Sequence, residues 1–260
     1  MYFAFFLVSF LASIVGAICG IGGGVIMKPL LDATGILSVS AISFLSGCTV
    51  LSMAVVSVGS SMRNKTVCVK FAVTLPLAIG SAVGGIMGKV IFQEIKNRAA
   101  AENTVGLIQA ALLLLITLIT FIYTLKKDKV HTLRLKNIPV CVSVGILLGF
   151  FSAFLGIGGG PINLMILSYF FSMDTKEAAA NSLFVILVSQ VFSLIQTLLS
   201  GSVPELEGMF LLLMVAGGIL GGKAGSRINR NIKAEHVNRL FEGLMAVIMV
   251  ICIYNMYRFR

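Results

Sequence analysis

Two glycine clusters are the features of this chain best placed to do chemistry: Gly20-Ile21-Gly22-Gly23-Gly24 and its near copy Gly156-Ile157-Gly158-Gly159-Gly160. Adjacent glycines inside an apolar run break a helix, admit backbone angles closed to other residues, and bare amide groups that something must satisfy. An apolar run resumes after each cluster, and the second begins with Pro161, a residue suited to the first turn of a helix. A helix start carries unpaired N–H groups and partial positive charge, which together favour an anion. Two such starts aimed at one cavity would bind a small anion without a set of buried arginines. A dinucleotide-binding loop is excluded, since no strand precedes either cluster.

Polar side chains inside apolar segments are costly in lipid and face a cavity or another helix. Lys28, Ser46 and Thr49 stand in the first half, and Asn163, Asn181, Ser182 and Gln190 in the second, with Ser46 and Ser182 at matching places. A serine can bond the backbone of its own helix, whereas the amide of Asn181 needs further partners. Lys28 would cost about 2.5 to 3.5 kcal/mol within lipid unless it snorkels or meets an anion, and both outcomes stay open. The candidate substrate-binding set is therefore Gly20, Gly22, Gly23, Gly24, Lys28, Ser46, Gly156, Gly158, Gly159, Gly160, Pro161, Asn163, Asn181 and Ser182. No enzyme is expected. His131 and His236 fall in basic loops, and Asp32, Asp174, Glu177, Glu205, Glu207 and Glu242 lie near segment ends without pairing at catalytic spacing. The scattered cysteines Cys19, Cys48, Cys68, Cys141 and Cys252 form no CxxC pair, so neither a metal site nor a cofactor is expected.

The elements that must hold these residues are membrane helices. Of 260 residues 58% are apolar and 12% charged, and the mean hydropathy is +1.02, outside the range of water-soluble domains. Lipid-facing backbone must be satisfied internally, and the runs lack the alternation of a barrel, so the class is all-α. The pattern predicts a glycine-broken segment over 2–33, then helices near 38–61, 71–92 and 104–125. The second half repeats it, with a segment over 138–173 and helices near 176–200, 208–225 and 238–257. About 60 residues after each cluster comes a glycine ladder, Gly80, Gly84, Gly85 and Gly88, then Gly217, Gly221, Gly222 and Gly225, whose four-residue spacing suits close helix packing. The excess of 20 Lys and Arg over 10 Asp and Glu sits in short loops, where it fixes topology and excludes nucleic acid as a partner.

Charge also bears on whether the two copies are parallel or inverted. If each glycine segment dips into the membrane and returns, six helices cross. Arg63, Lys65, Lys70, Lys126, Lys127, Lys129, Arg134, Lys136, Lys176, Arg227, Arg230, Lys233 and Arg239 then share the cytoplasmic face. The other face keeps Lys96, Arg98, Arg258 and Arg260 with Glu205 and Glu207. This reading gives two inverted repeats, 1–136 (including the basic connecting loop) and 137–260, each a re-entrant segment followed by three transmembrane helices, with both termini outside.

The paired motif, Gly16-Ala17-Ile18-Cys19-Gly20-Ile21-Gly22-Gly23-Gly24 through Pro29 and Phe154-Leu155-Gly156-Ile157-Gly158-Gly159-Gly160-Pro161, with Asn181-Ser182-Leu183-Phe184, resembles the TauE/SafE family of sulfite exporters and organosulfur-anion transporters. The resemblance implies a multi-pass protein of the cytoplasmic (inner) membrane that carries sulfite or sulfonates such as sulfoacetate. It also implies coupling to a proton or sodium gradient. Leu45-Ser46 stands where that family shows a small or polar pair, and Lys28 has no counterpart in its pattern. Alternating access around the glycine breaks is the mechanism expected. An anion channel and a nontransporting membrane assembly subunit are the alternatives, and self-association into a homo-oligomer is left open.

Overall fold

The computed structural model describes residues 2–64, 69–98, 102–127, 130–135 and 137–259. Lys65, Cys68, Lys129, Lys136 and Arg260 lie outside the described residues. Among the latter there are ten helices and no strand: α1 (Tyr2–Cys19), α2 (Gly24–Asp32), α3 (Val39–Asn64), α4 (Phe71–Arg98), α5 (Glu102–Lys126), α6 (Ile138–Leu155), α7 (Pro161–Phe171), α8 (Thr175–Leu199), α9 (Gly208–Asn231) and α10 (Ala234–Arg258). The protein is an all-α integral membrane protein, and among the described residues eight helices are long and apolar enough to cross a bilayer. Large apolar side chains such as Leu115, Leu199 and Val250 stand outward, as a lipid-facing surface requires.

Each glycine segment is a long helix, a break and a short helix. The first arms, α1 and α6, are 18 residues each, about 27 Å at 1.5 Å per residue, close to a hydrocarbon core of about 30 Å. That is why eight helices, and not the six expected to cross, reach spanning length. Gly20 and Gly22 end α1 with φ of +77°, and Gly156 and Gly158 end α6 with φ of +65° and +70°, angles that side chains with a Cβ rarely adopt. Pro161 occupies the first turn of α7, as the sequence predicts.

After each break the chain turns back. A Cβ on Gly23 would lie 3.1 Å from the backbone of Ala12 in α1. At the other segment, Leu133 N–H donates to Tyr169 O (2.9 Å) and Leu135 N–H to Phe170 O (2.8 Å), so the end of α7 lies beside the residues that lead into α6. The end of α2 is fastened to α10, where Asn255 Nδ2 donates to Pro29 O (2.8 Å) and Arg258 Nη1 to Asp32 O (2.6 Å).

The glycine ladders lock the two sets of helices together. A methyl group on Gly80, Gly84 or Gly88 of α4 would collide with the carbonyls of Val142, Ile146 and Phe150 in α6. On Gly217, Gly221 or Gly225 of α9 it would meet those of Phe6, Phe10 and Ile14 in α1. Each of these carbonyl contacts in one set recurs in the other at an offset of 136 or 137 residues. Bare glycine faces let the backbones approach closely enough for dispersion forces to act without a hydrophobic drive from water.

Candidate functional site

The two breaks meet at the centre of the helical assembly. Gly22 lies against Val50 of α3 and Ile186 of α8, with Gly158 O 3.9 Å from its Cβ direction. Gly24 abuts the carbonyl of Ile157, and the Cβ direction of Gly159 points at Ile21 O, 2.9 Å away. Gly20 packs on Ala179 of α8, while Gly156 packs on Ser43 of α3, the equivalent place in the other half. Gly160 is extended, with φ of −179°, and leads into α7.

Beside this junction is a cavity of about 270 Å³, just below the size range of drug-binding pockets and suited to a small solute. Its polar lining includes Ser43, Lys89, Gln109, Ser152, Gln190 and Thr197, with Phe44, Phe92 and Leu194 supplying apolar wall. Of the residues expected at a binding site, Gly156 and Gly158 line it. Three carbonyls of the last turn of α6, which would repel an anion here, are occupied: Gly156 N–H donates to Ala153 O (3.1 Å), Ile157 N–H to Ser152 O (3.3 Å) and Gln109 Nε2 to Phe154 O (2.6 Å).

A second cavity of about 100 Å³ lies by Ala17, Ser57, Ser61, Ala179 and Ser226. Ser43, Lys89, Ser193 and Thr197 of the larger cavity correspond to Ala179, Ser226, Ser57 and Ser61 of the smaller, again at offsets of 136 or 137. The two cavities are thus equivalent places on opposite flanks of the junction, and differ in volume and lining.

The remaining expected residues are placed elsewhere. Lys28 neither snorkels nor faces the large cavity. It is 2% exposed and its Nζ lies 2.8 Å from Asp32 Oδ2, one turn along α2. Its methylenes run past Gly156. Both ends of the Asn181 amide are engaged: its Oδ1 accepts from Lys70 N–H (3.0 Å) and from the Thr74 hydroxyl, and its Nδ2 donates to Glu177 O (2.7 Å). It lines neither cavity and instead ties the start of α4 to α8, a role the sequence did not suggest because both partners are distant in the chain. Ser46 and Ser182 are fully buried and their hydroxyls make no hydrogen bond; Asn163 is buried with its Oδ1 unpaired. Ser46 Oγ sits beside Gly24, at the start of α2.

Sequence reasoning missed Lys89, Gln109 and Ser193. Lys89 was hidden in the apolar run of α4, directly after the ladder glycine Gly88. A lone cation in that setting was the available signal.

The profile of the family described as sulfite exporter TauE/SafE matches residues 5–251. The chain is 23% identical to the probable membrane transporter protein YunE of Bacillus subtilis (strain 168), over 94% of each chain. It is 24% identical to the probable membrane transporter protein MJ0441 of Methanocaldococcus jannaschii, over 93% of this chain and 91% of that one. No solved structure matches the chain. With a match that runs through both glycine segments and all ten helices, the chain belongs to the TauE/SafE sulfite exporter family of membrane proteins.

Proposed function

We propose that this protein is a secondary transporter that moves small sulfur-containing anions, sulfite or sulfonates such as sulfoacetate, across the cytoplasmic membrane by alternating access. The observation that carries the reading is the pair of equivalent cavities on either flank of the touching glycine breaks. In this reading 1–136 and 137–260 are inverted repeats, both termini are outside, and a proton or sodium gradient drives the cycle. The larger cavity is the open one in this state. Its smaller counterpart opens as one set of helices rocks against the other, and the junction at Gly24 and Ile157 is the barrier between them.

Two rival readings fit less well. A channel needs one passage from face to face, and the junction of the breaks stands between the cavities. A nontransporting assembly subunit would use the glycine ladders as its outward packing surface, yet both ladders are spent inside the chain, against α6 and α1.

Uptake of radiolabelled sulfite into proteoliposomes, under imposed proton or sodium gradients, tests the proposal. Saturable flux competed by sulfonates and accelerated by one gradient is the expected result. Absence of flux and of competition by sulfonates, sulfate and carboxylates would overturn the substrate assignment.

A further inference from the structure

We infer that Lys89 is the residue that selects the charge of the transported solute, making the large cavity a site for a monoanion: of the solutes named above it takes sulfite in its hydrogensulfite form and singly charged sulfonates, and it disfavours dianionic sulfoacetate. The inference rests on the transport reading above and specifies its binding site. Among the described residues Lys89 is the only charged one lining that cavity. Its Nζ donates to Ser193 O (2.9 Å) and to the Thr197 hydroxyl, both on α8. An ammonium has three N–H donors, so one remains for a ligand. Among the described residues no carboxylate pairs with it, and a cation within a membrane segment marks a solute pathway or a missing counter-ion.

The fold itself does not require a lysine here. The equivalent position in the other half is Ser226, which lies with Ser57 and Ser61 just as Lys89 lies with Ser193 and Thr197. The same helix contact is therefore built once with a charge and once without. The smaller cavity has cations of its own, Lys176 at the start of α8 and Arg230 near the end of α9, so positive charge borders both cavities, but only in the large one does it stand at this helix contact.

One fixed positive charge with hydroxyl and amide neighbours balances one negative charge. A dianion would bring a second charge into a low-dielectric space with no partner for it, and the desolvation cost of that unpaired charge opposes entry. The phenyl rings of Phe44 and Phe92 and the side chain of Leu194 provide room beside the charge for the uncharged part of an organic anion. Thr197 and the Ser193 carbonyl hold the ammonium in place, so the geometry for the incoming oxyanion is set before binding.

The test uses the full-length protein in proteoliposomes, with methanesulfonate as the monoanion probe, sulfate as the dianion and sulfite as the transported label. Lys89→Gln raises KM for sulfite about tenfold or more, the loss expected of one charge-assisted hydrogen bond. Lys89→Arg keeps KM closer to wild type. In the wild type, methanesulfonate competes better than sulfate, a readout that needs no variant and stands if Lys89→Gln fails to fold. An unchanged KM in a folded Lys89→Gln protein, or sulfate competing as well as methanesulfonate, overturns the assignment of Lys89 while leaving transport intact. No saturable sulfite flux in the wild type would overturn the transport reading and this inference together.

Discussion

Gly24 and Gly160 occupy the same place in their two motifs, yet alanine should be disruptive at one and tolerated at the other. A Cβ on Gly24 would overlap the Ile157 carbonyl oxygen and lie 2.7 Å from its carbon and 2.8 Å from Ser46 Oγ. Ordinary contact is 3.4 Å or more, and a backbone carbonyl at the tip of a hairpin cannot rotate away as a side chain does. The two breaks would have to separate. Overpacking of well-filled sites costs about 1 to 3 kcal/mol, and rigid backbone on the receiving side places Gly24→Ala at or above the upper end. At Gly160 the nearest atoms are the flexible Ile157 Cδ1 at 3.3 Å and Ile162 Cγ2 at 4.0 Å, and its extended φ suits any residue. Gly160→Ala should therefore cost less than about 1 kcal/mol. Thermal unfolding of purified variants in detergent, followed by flux in proteoliposomes, reads both terms. Gly24→Ala should melt well below wild type and transport poorly, while Gly160→Ala stays close to wild type in both. Equal behaviour of the two variants would refute the asymmetry of the junction and with it the barrier assigned to Gly24 and Ile157.

Three further outcomes are expected. Asn181→Leu leaves the Lys70 N–H and the Thr74 hydroxyl without their acceptor and should destabilise by about 1 to 3 kcal/mol per stranded group. Its signature is a lower melting temperature, with KM unchanged in whatever protein remains folded. Lys28→Leu fits sterically, since the equivalent position in the other half is Leu164, but breaks the buried Lys28–Asp32 ion pair by removing its cation and should cost about 3 to 5 kcal/mol in the same melting assay. Single cysteines at Lys127 and Lys233 should both be labelled from the cytoplasmic face by an impermeant maleimide. Labelling from opposite faces would contradict the inverted arrangement.

The sequence by itself determined the class, the family and the helices. Hydropathy has no alternative reading over runs this long, because only a helix can satisfy its own backbone hydrogen bonds in lipid. The expected helix near 104–125 is α5 at Glu102–Lys126, and that near 176–200 is α8 at Thr175–Leu199. Helix ends were local matters too, fixed by Asp174, whose side chain accepts from Glu177 N–H (2.8 Å), and by the positive φ of Gly20 and Gly156. The ladder spacing of four announced a packing face. It could not announce the partner, since the helix that meets Gly84 is chosen by the whole assembly and lies some 60 residues further on, at Ile146.

Tertiary structure alone decided which polar groups see a cavity. Asn181, Lys28 and Lys89 are each a polar side chain in an apolar segment, and composition weighs them alike. Contact with Lys70 and Thr74 satisfies Asn181, a carboxylate one turn away neutralises Lys28, and only Lys89 keeps its charge facing open space. The glycine motifs diverged in the same way, with Gly156 and Gly158 lining the large cavity while their counterparts Gly20 and Gly22 are packed against α8 and α3. Satisfaction of a buried polar group depends on atoms brought together from distant parts of the chain. A linear pattern carries the need for a partner and not its identity.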